Sequence, residues 1–110
     1  MYIGQFLPNG AIIFSPWFPR EADNAIFTFE TIDNDGSGSL TVDVYHKNTE
    51  DPGPGAALSA TAAFSAIGST NYKSGRFVGI KEMVRFRYTG SGGWVIFRML
   101  HPTWFNTAVA

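Results

Sequence analysis

The chain has 110 residues, with 8 Lys and Arg against 9 Asp and Glu, a formal net charge of −1 and no cysteine. A domain of this length builds one core and leaves no room for a large internal cavity. The balanced charge gives no case for phosphate-backbone binding, which rests on clustered, unneutralised Lys and Arg, and the lack of Cys excludes disulfides, thiolate zinc sites and Cys nucleophiles.

The beginning, "MYIGQFLPNG", has neither a basic n-region nor a long apolar h-region, so no secretory signal is read and the location stays open. The uncharged run that follows, "GAIIFSPWFP", is broken by two prolines and falls far short of the roughly 20 residues of a membrane span. Within it, Ala11–Ser15 reads as a short strand.

Ala25–Ile32 alternates Ala25, Phe27 and Phe29 against Ile26, Thr28 and Glu30. Leu40–Lys47 alternates Leu40, Val42 and Val44 against Thr41, Asp43 and Tyr45. A period of two marks half-buried strands, and the polar stretch between them predicts a hairpin over Ala25–Lys47. Asn48–Ala56, "NTEDPGPGA", is a loop. Leu58–Ile67 is Ala-rich enough for a helix, but its alternation and Ser/Thr content favour a strand; "GSTNYKSGRF" after it reads as a loop. In Gly79–Thr89, Ile80, Glu82, Val84, Phe86 and Tyr88 share a face, opposite Lys81, Met83, Arg85 and Arg87. The Gly90–Gly93 turn then leads into Trp94–Leu100, which predicts a second hairpin. Both ends are apolar and aromatic, so residues 1–10 and 101–110 either pack on their own sheet or reach a neighbouring copy as arms. The whole reads as one all-β domain, an antiparallel, jelly-roll-like β-sandwich of about six or seven short strands over residues 1–110.

"DNDGSGSLTVDV", Asp33–Val44, matches the calcium loop of a helix–loop–helix site through its eighth position. Its twelfth position is Val44 where a bidentate Glu is required, and strands rather than helices flank it. Asp, Asn, Gly and Ser are also the residues that turns demand, and the turn reading is preferred. A weak calcium site on Asp33, Asp35 and Asp43 stands as the alternative; no other cofactor is expected. His46 and His101 belong to no nucleophile or zinc signature, and no carboxylate pair is placed for glycoside chemistry, so no enzyme is expected.

Charged residues make up only 15% of the chain, against about 25% in an average soluble domain, while aromatics reach 15%. Low charge with apolar ends favours a surface covered by partner subunits over one covered by Ser, Thr, Asn and Gly. The expected function is therefore structural: a subunit that assembles with copies of itself, and with other particle subunits, into a particle or filament. At the level of size, composition and strand pattern, the chain is similar to small β-sandwich proteins that build phage- or virus-like particles, whether as capsid, head-decoration or tail subunit. Tyr2, Phe6, Trp17, Phe18, Trp104 and Phe105 are the expected anchors, with Arg85, Arg87 and Arg98 as a polar stripe that sets register. The rival expectation is a carbohydrate-binding or adhesion module using exposed Trp17, Trp94 and Trp104.

Overall fold

The structure, a computed structural model, describes residues 4–58, 64–68 and 71–107. Among the described residues, ten strands form two antiparallel sheets: β1 (Gln5–Leu7), β2 (Ile12–Phe14), β3 (Phe18–Pro19), β4 (Asn24–Asn34), β5 (Ser39–Lys47), β6 (Ala56–Ala57), β7 (Tyr72–Phe77), β8 (Met83–Ser91), β9 (Val95–Met99) and β10 (Thr103–Phe105). Alternation places Ala25, Phe27, Phe29 and Thr31 of β4 inward, facing Leu40, Val42 and Val44 of β5 and Val84 and Phe86 of β8, all of them buried. The all-β sandwich read from the sequence is the fold of the chain.

One sheet runs β1-β9-β4-β7 and the other β2-β8-β5-β6. The two short extras are continuations. β10 pairs with Asn24–Ile26 on the edge of β4 that β9 uses further along, and β3 pairs with β8 on the edge that β2 uses. Pro102 separates β9 from β10, and Pro16 separates β2 from β3; each lacks the amide a continuous ladder would need. Joining those pairs leaves eight strands in two four-stranded sheets, with the chain passing from one sheet to the other at nearly every connection. That is the jelly-roll order.

Both predicted hairpins are corrected by this topology. β4 lies in the first sheet and β5 in the second, and the same holds for β9 and β8, so neither pair shares a ladder. The connections are arches that climb about 10 Å from sheet to sheet, where a hairpin would step about 5 Å sideways. Alternation requires only that each strand bury one face, and an arch satisfies this as well as a hairpin. The four strands are present with their apolar faces inward, although β8 begins at Met83 and leaves Glu82 exposed before it; the pairing partners differ.

Two further differences come from weak side-chain signals. "NYKSGRF" reads as loop because Ser, Gly, Lys and Arg dominate it, yet Tyr72–Phe77 is β7, burying Gly75 and Phe77 against β4. Residues 59–63 of the predicted Leu58–Ile67 strand lie outside the described residues. Of the rest, Leu58 donates its amide to Val44 O (2.8 Å) and Ile67 bridges Leu40.

Three arches stack at one end of the sandwich: Pro8–Ala11 between β1 and β2, Asp35–Gly38 between β4 and β5, and Gly92–Trp94 between β8 and β9. Gly10 N donates to Gly90 O (3.0 Å), and Ser37 Oγ donates to Gly92 O (2.6 Å). At the opposite end the β3–β4 and β7–β8 links meet, with Ile80 N donating to Asp23 O (2.9 Å) and the Arg20 guanidinium donating to Ile80 O.

Candidate assembly surface

The Asp33–Gly38 part of the acidic motif uses its side-chain oxygens mainly on nearby backbone amides. Asp33 Oδ1 accepts the Asn34 amide (2.9 Å) and Asn34 Oδ1 accepts Gly36 N (3.0 Å). Asp35 Oδ1 accepts the amides of Ser37 (3.2 Å) and Gly38 (3.0 Å), while Oδ2 accepts the Trp94 amide of the neighbouring arch (3.4 Å). Asp43 is held elsewhere. It stands roughly 13 Å along β5 from Ser39 at about 3.3 Å per residue, and it accepts both Nε (2.9 Å) and Nη2 (2.5 Å) of Arg87. Among the described residues no three His, Asp or Glu side chains converge as a metal would require.

The Ser37 amide, aided by those of Gly38 and Trp94, outweighs desolvation and holds the Asp35 carboxyl below its ordinary value of 3.8. A carboxylate whose folded pKa is depressed contributes stability above its unfolded pKa and loses it as pH falls through the folded one. Acid titration of unfolding should therefore show a loss of stability below about pH 4 that is shallower in Asp35→Asn. Equal pH slopes for the two proteins would remove Asp35 from that role.

The predicted polar stripe divides between the two faces. Arg85 and Arg87 project from the outer face of the β2-β8-β5-β6 sheet, whereas Arg98 projects from the other sheet and pairs with Glu30 (2.7 Å). The hydrogen bond to Asp43 raises the Arg87 pKa and keeps its charge matched within the chain. Arg85 stacks among the rings of Phe14 (4.3 Å), Trp17 (4.8 Å) and Tyr45 (6.0 Å), with its Nε buried and lacking a hydrogen-bond partner among the described residues.

The predicted anchors also divide. Phe18 packs on Phe86 (5.5 Å) and Trp104 stands edge-on to Phe27 (5.5 Å), so both support the chain's own core. Phe105 pairs with Asn24 as the last residue of β10, which places residues 103–105 on their own sheet. Trp17 carries Lys47 (4.8 Å) as well as Arg85, and Trp94 leans on Phe6 (5.8 Å); all three tryptophans are half-buried. Tyr2 lies outside the described residues. Phe6 is the anchor that stays open, 57% exposed on the edge strand β1.

Phe6 marks a feature that residue-by-residue reading missed. β1 and β2 are the edge strands on the same side of the sandwich, and β2 exposes all three of its residues: Ile12 (59%), Ile13 (46%) and Phe14 (46%). Between the two edges the sheets part into a cleft of about 320 Å³, walled by Phe6, Leu7, Ile13, Phe14, Pro16 and Phe97. Tyr88 lies at its base, its phenol pushed above the ordinary value by burial. Residues 4–19, which carry both edges, contain no charged side chain. Exposed edges are ordinarily guarded by charge, by Pro or by extreme shortness. This side is short and flanked by Pro8 and Pro16 but carries no charge, whereas on the opposite side β6 has two residues and β7 carries Lys73 and Arg76.

No protein-family model matches this chain, and no curated protein matches it.

His46 and His101 each contact backbone groups. His46 Nδ1 accepts the Lys81 amide (3.1 Å), and burial, then the Lys81 charge, lowers its pKa from the ordinary 6.5. His101 Nδ1 lies 2.9 Å from Pro102 O.

Proposed function

We propose that this chain is a non-enzymatic structural subunit that associates with copies of itself to build a larger particle or filament, of the kind found in virions. The observation that carries this reading is the uncharged edge, where Phe6, Ile12, Ile13 and Phe14 stand exposed on adjoining strands. A monomer gains nothing from such an edge and risks aggregation, whereas a subunit buries it. Low overall charge points the same way, and jelly rolls serve as capsid domains, an analogy of fold alone.

Sedimentation velocity over a range of concentrations tests the reading. The wild type should sediment as species larger than the 12.0 kDa chain, and Ile12→Lys, which places a charge on an exposed edge position, should shift it towards monomer. A wild type that stays monomeric at high concentration would refute it. In electron micrographs the wild type should form regular homotypic objects. Specific glycan binding by a monomeric chain would instead favour a carbohydrate-binding module.

A further inference from the structure

The hydrogen bonds of β2 specify how a second copy would meet this edge. Gly90 N donates to Ala11 O (3.0 Å) and Ser15 N donates to Phe86 O (2.9 Å), so the backbone groups of residues 11 and 15 point at β8. In an antiparallel ladder the direction alternates with each residue. Ile13, opposite Tyr88, therefore also points at β8, and the N–H and C=O of Ile12 and Phe14 point away from the sheet. This outward pattern is symmetric about Ile13.

Resting on the self-assembly reading, we infer that two copies pair β2 against β2 antiparallel about a two-fold axis at Ile13, joining their β2-β8-β5-β6 sheets into one. In that register Ile12 of each copy lies opposite Phe14 of the other, and each such pair exchanges both of its free hydrogen bonds. Ile13 faces its own counterpart as a non-hydrogen-bonded pair on the cleft side, where Tyr88 also lies. The second copy is the fitting occupant for two reasons. Residues 4–19 offer no charge for a charged partner to complement, and a two-fold contact needs a self-complementary patch, which the outward groups of Ile12 and Phe14 supply.

The chain has no cysteine, so single-cysteine variants read the register directly. Across a non-hydrogen-bonded antiparallel pair the Cα atoms lie about 4.5 Å apart, within disulfide reach. Position 12 lies roughly 8–9 Å from its counterpart, as does position 14, which is beyond that reach. Under mild oxidation Ile13→Cys should form a covalent dimer on a non-reducing gel, while Ile12→Cys and Phe14→Cys should not. A second readout does not depend on oxidation: Ile12→Lys alone and Phe14→Glu alone should be monomers, and mixing them should restore a dimer. If the wild type associates but Ile13→Cys stays monomeric and the mixture fails to dimerise, the register is wrong while self-assembly stands. Cross-linking at all three positions alike would likewise refute the register. If the wild type does not associate at all, the assembly reading fails with it.

Discussion

Phe86→Ala is expected to lower the free energy of unfolding by about 3–5 kcal/mol, the usual cost of truncating a buried Phe. The ring projects from β8 into the space between the sheets and is 2% exposed. It meets Phe27 (5.1 Å, interplanar 83°) and Phe29 (5.1 Å, 82°) of the facing sheet edge-on, and it also touches Phe18 and Tyr88. Edge-to-face pairs bring each ring's positive rim to the other's negative face, worth about 0.5–1.5 kcal/mol beyond area burial. Phe86 is thus a main point at which the two sheets meet, beside Tyr88, whose ring contacts Phe29 (6.0 Å) and Phe97 (4.8 Å) of the facing sheet, and removing the Phe86 ring leaves a cavity between them. Small domains have only about 5–15 kcal/mol in total, so the variant should be marginal in urea or guanidinium unfolding. Tyr72→Ser, on the exposed part of β7, should stay within about 0.5 kcal/mol of wild type. A Phe29–Phe86 double-mutant cycle should return a coupling of about 0.5–1.5 kcal/mol. A loss under about 1 kcal/mol for Phe86→Ala would mean that the sheets are held together elsewhere.

Gly38→Ala should cost about 1–3 kcal/mol or more, although the side chain added is a single methyl. A Cβ at Gly38 would run into the Trp94 carbonyl and the Gly93 backbone, so two arches would have to separate. Separation would also stretch the Ser37 Oγ–Gly92 O hydrogen bond (2.6 Å) and the Asp35 contact to the Trp94 amide. Ser37→Ala removes that first bond together with the Ser37 Oγ contact to Asp35 Oδ1 (3.3 Å), and should cost about 1 kcal/mol. Hydrogen exchange gives the local readout: in Gly38→Ala the Trp94 amide should lose protection beyond what the global stability loss explains, while amides central to β5 follow the global value. Unchanged protection at Trp94 would show that the arches do not bear on each other.

The strands themselves were legible because burial imposes a period of two. Ala25, Phe27 and Phe29, then Leu40, Val42 and Val44, then Val84 and Phe86 all face inward as their alternation requires. The jelly-roll-like sandwich followed from length, turn residues and the absence of a helical period. Partner choice was not legible. A Gly- or Asx-rich turn between two alternating runs reads alike whether the next strand lies beside the first or across from it. Only the inter-sheet spacing and the contact between the Asp35 and Gly92 loops decide for the arch.

The candidate surface divides along the same line. The uncharged run through residues 4–19 is plain in the sequence, yet Ala11–Ser15 reads there only as a short strand, with nothing local to mark it as an exposed edge. Exposure of all three follows from β2 being a three-residue edge strand beside β8, with the sheets parting at that side. The stripe of Arg85, Arg87 and Arg98 was an inference from hairpin pairing and dissolved with it, since the arch sends Arg98 to the other face, beside Glu30. By itself, then, the sequence determined which residues are strands and which face of each is buried, because alternation is a local consequence of backbone geometry. Tertiary structure alone decided which strands are neighbours and which edge is left open, because those depend on contacts between segments whose separation along the chain carries no local signal.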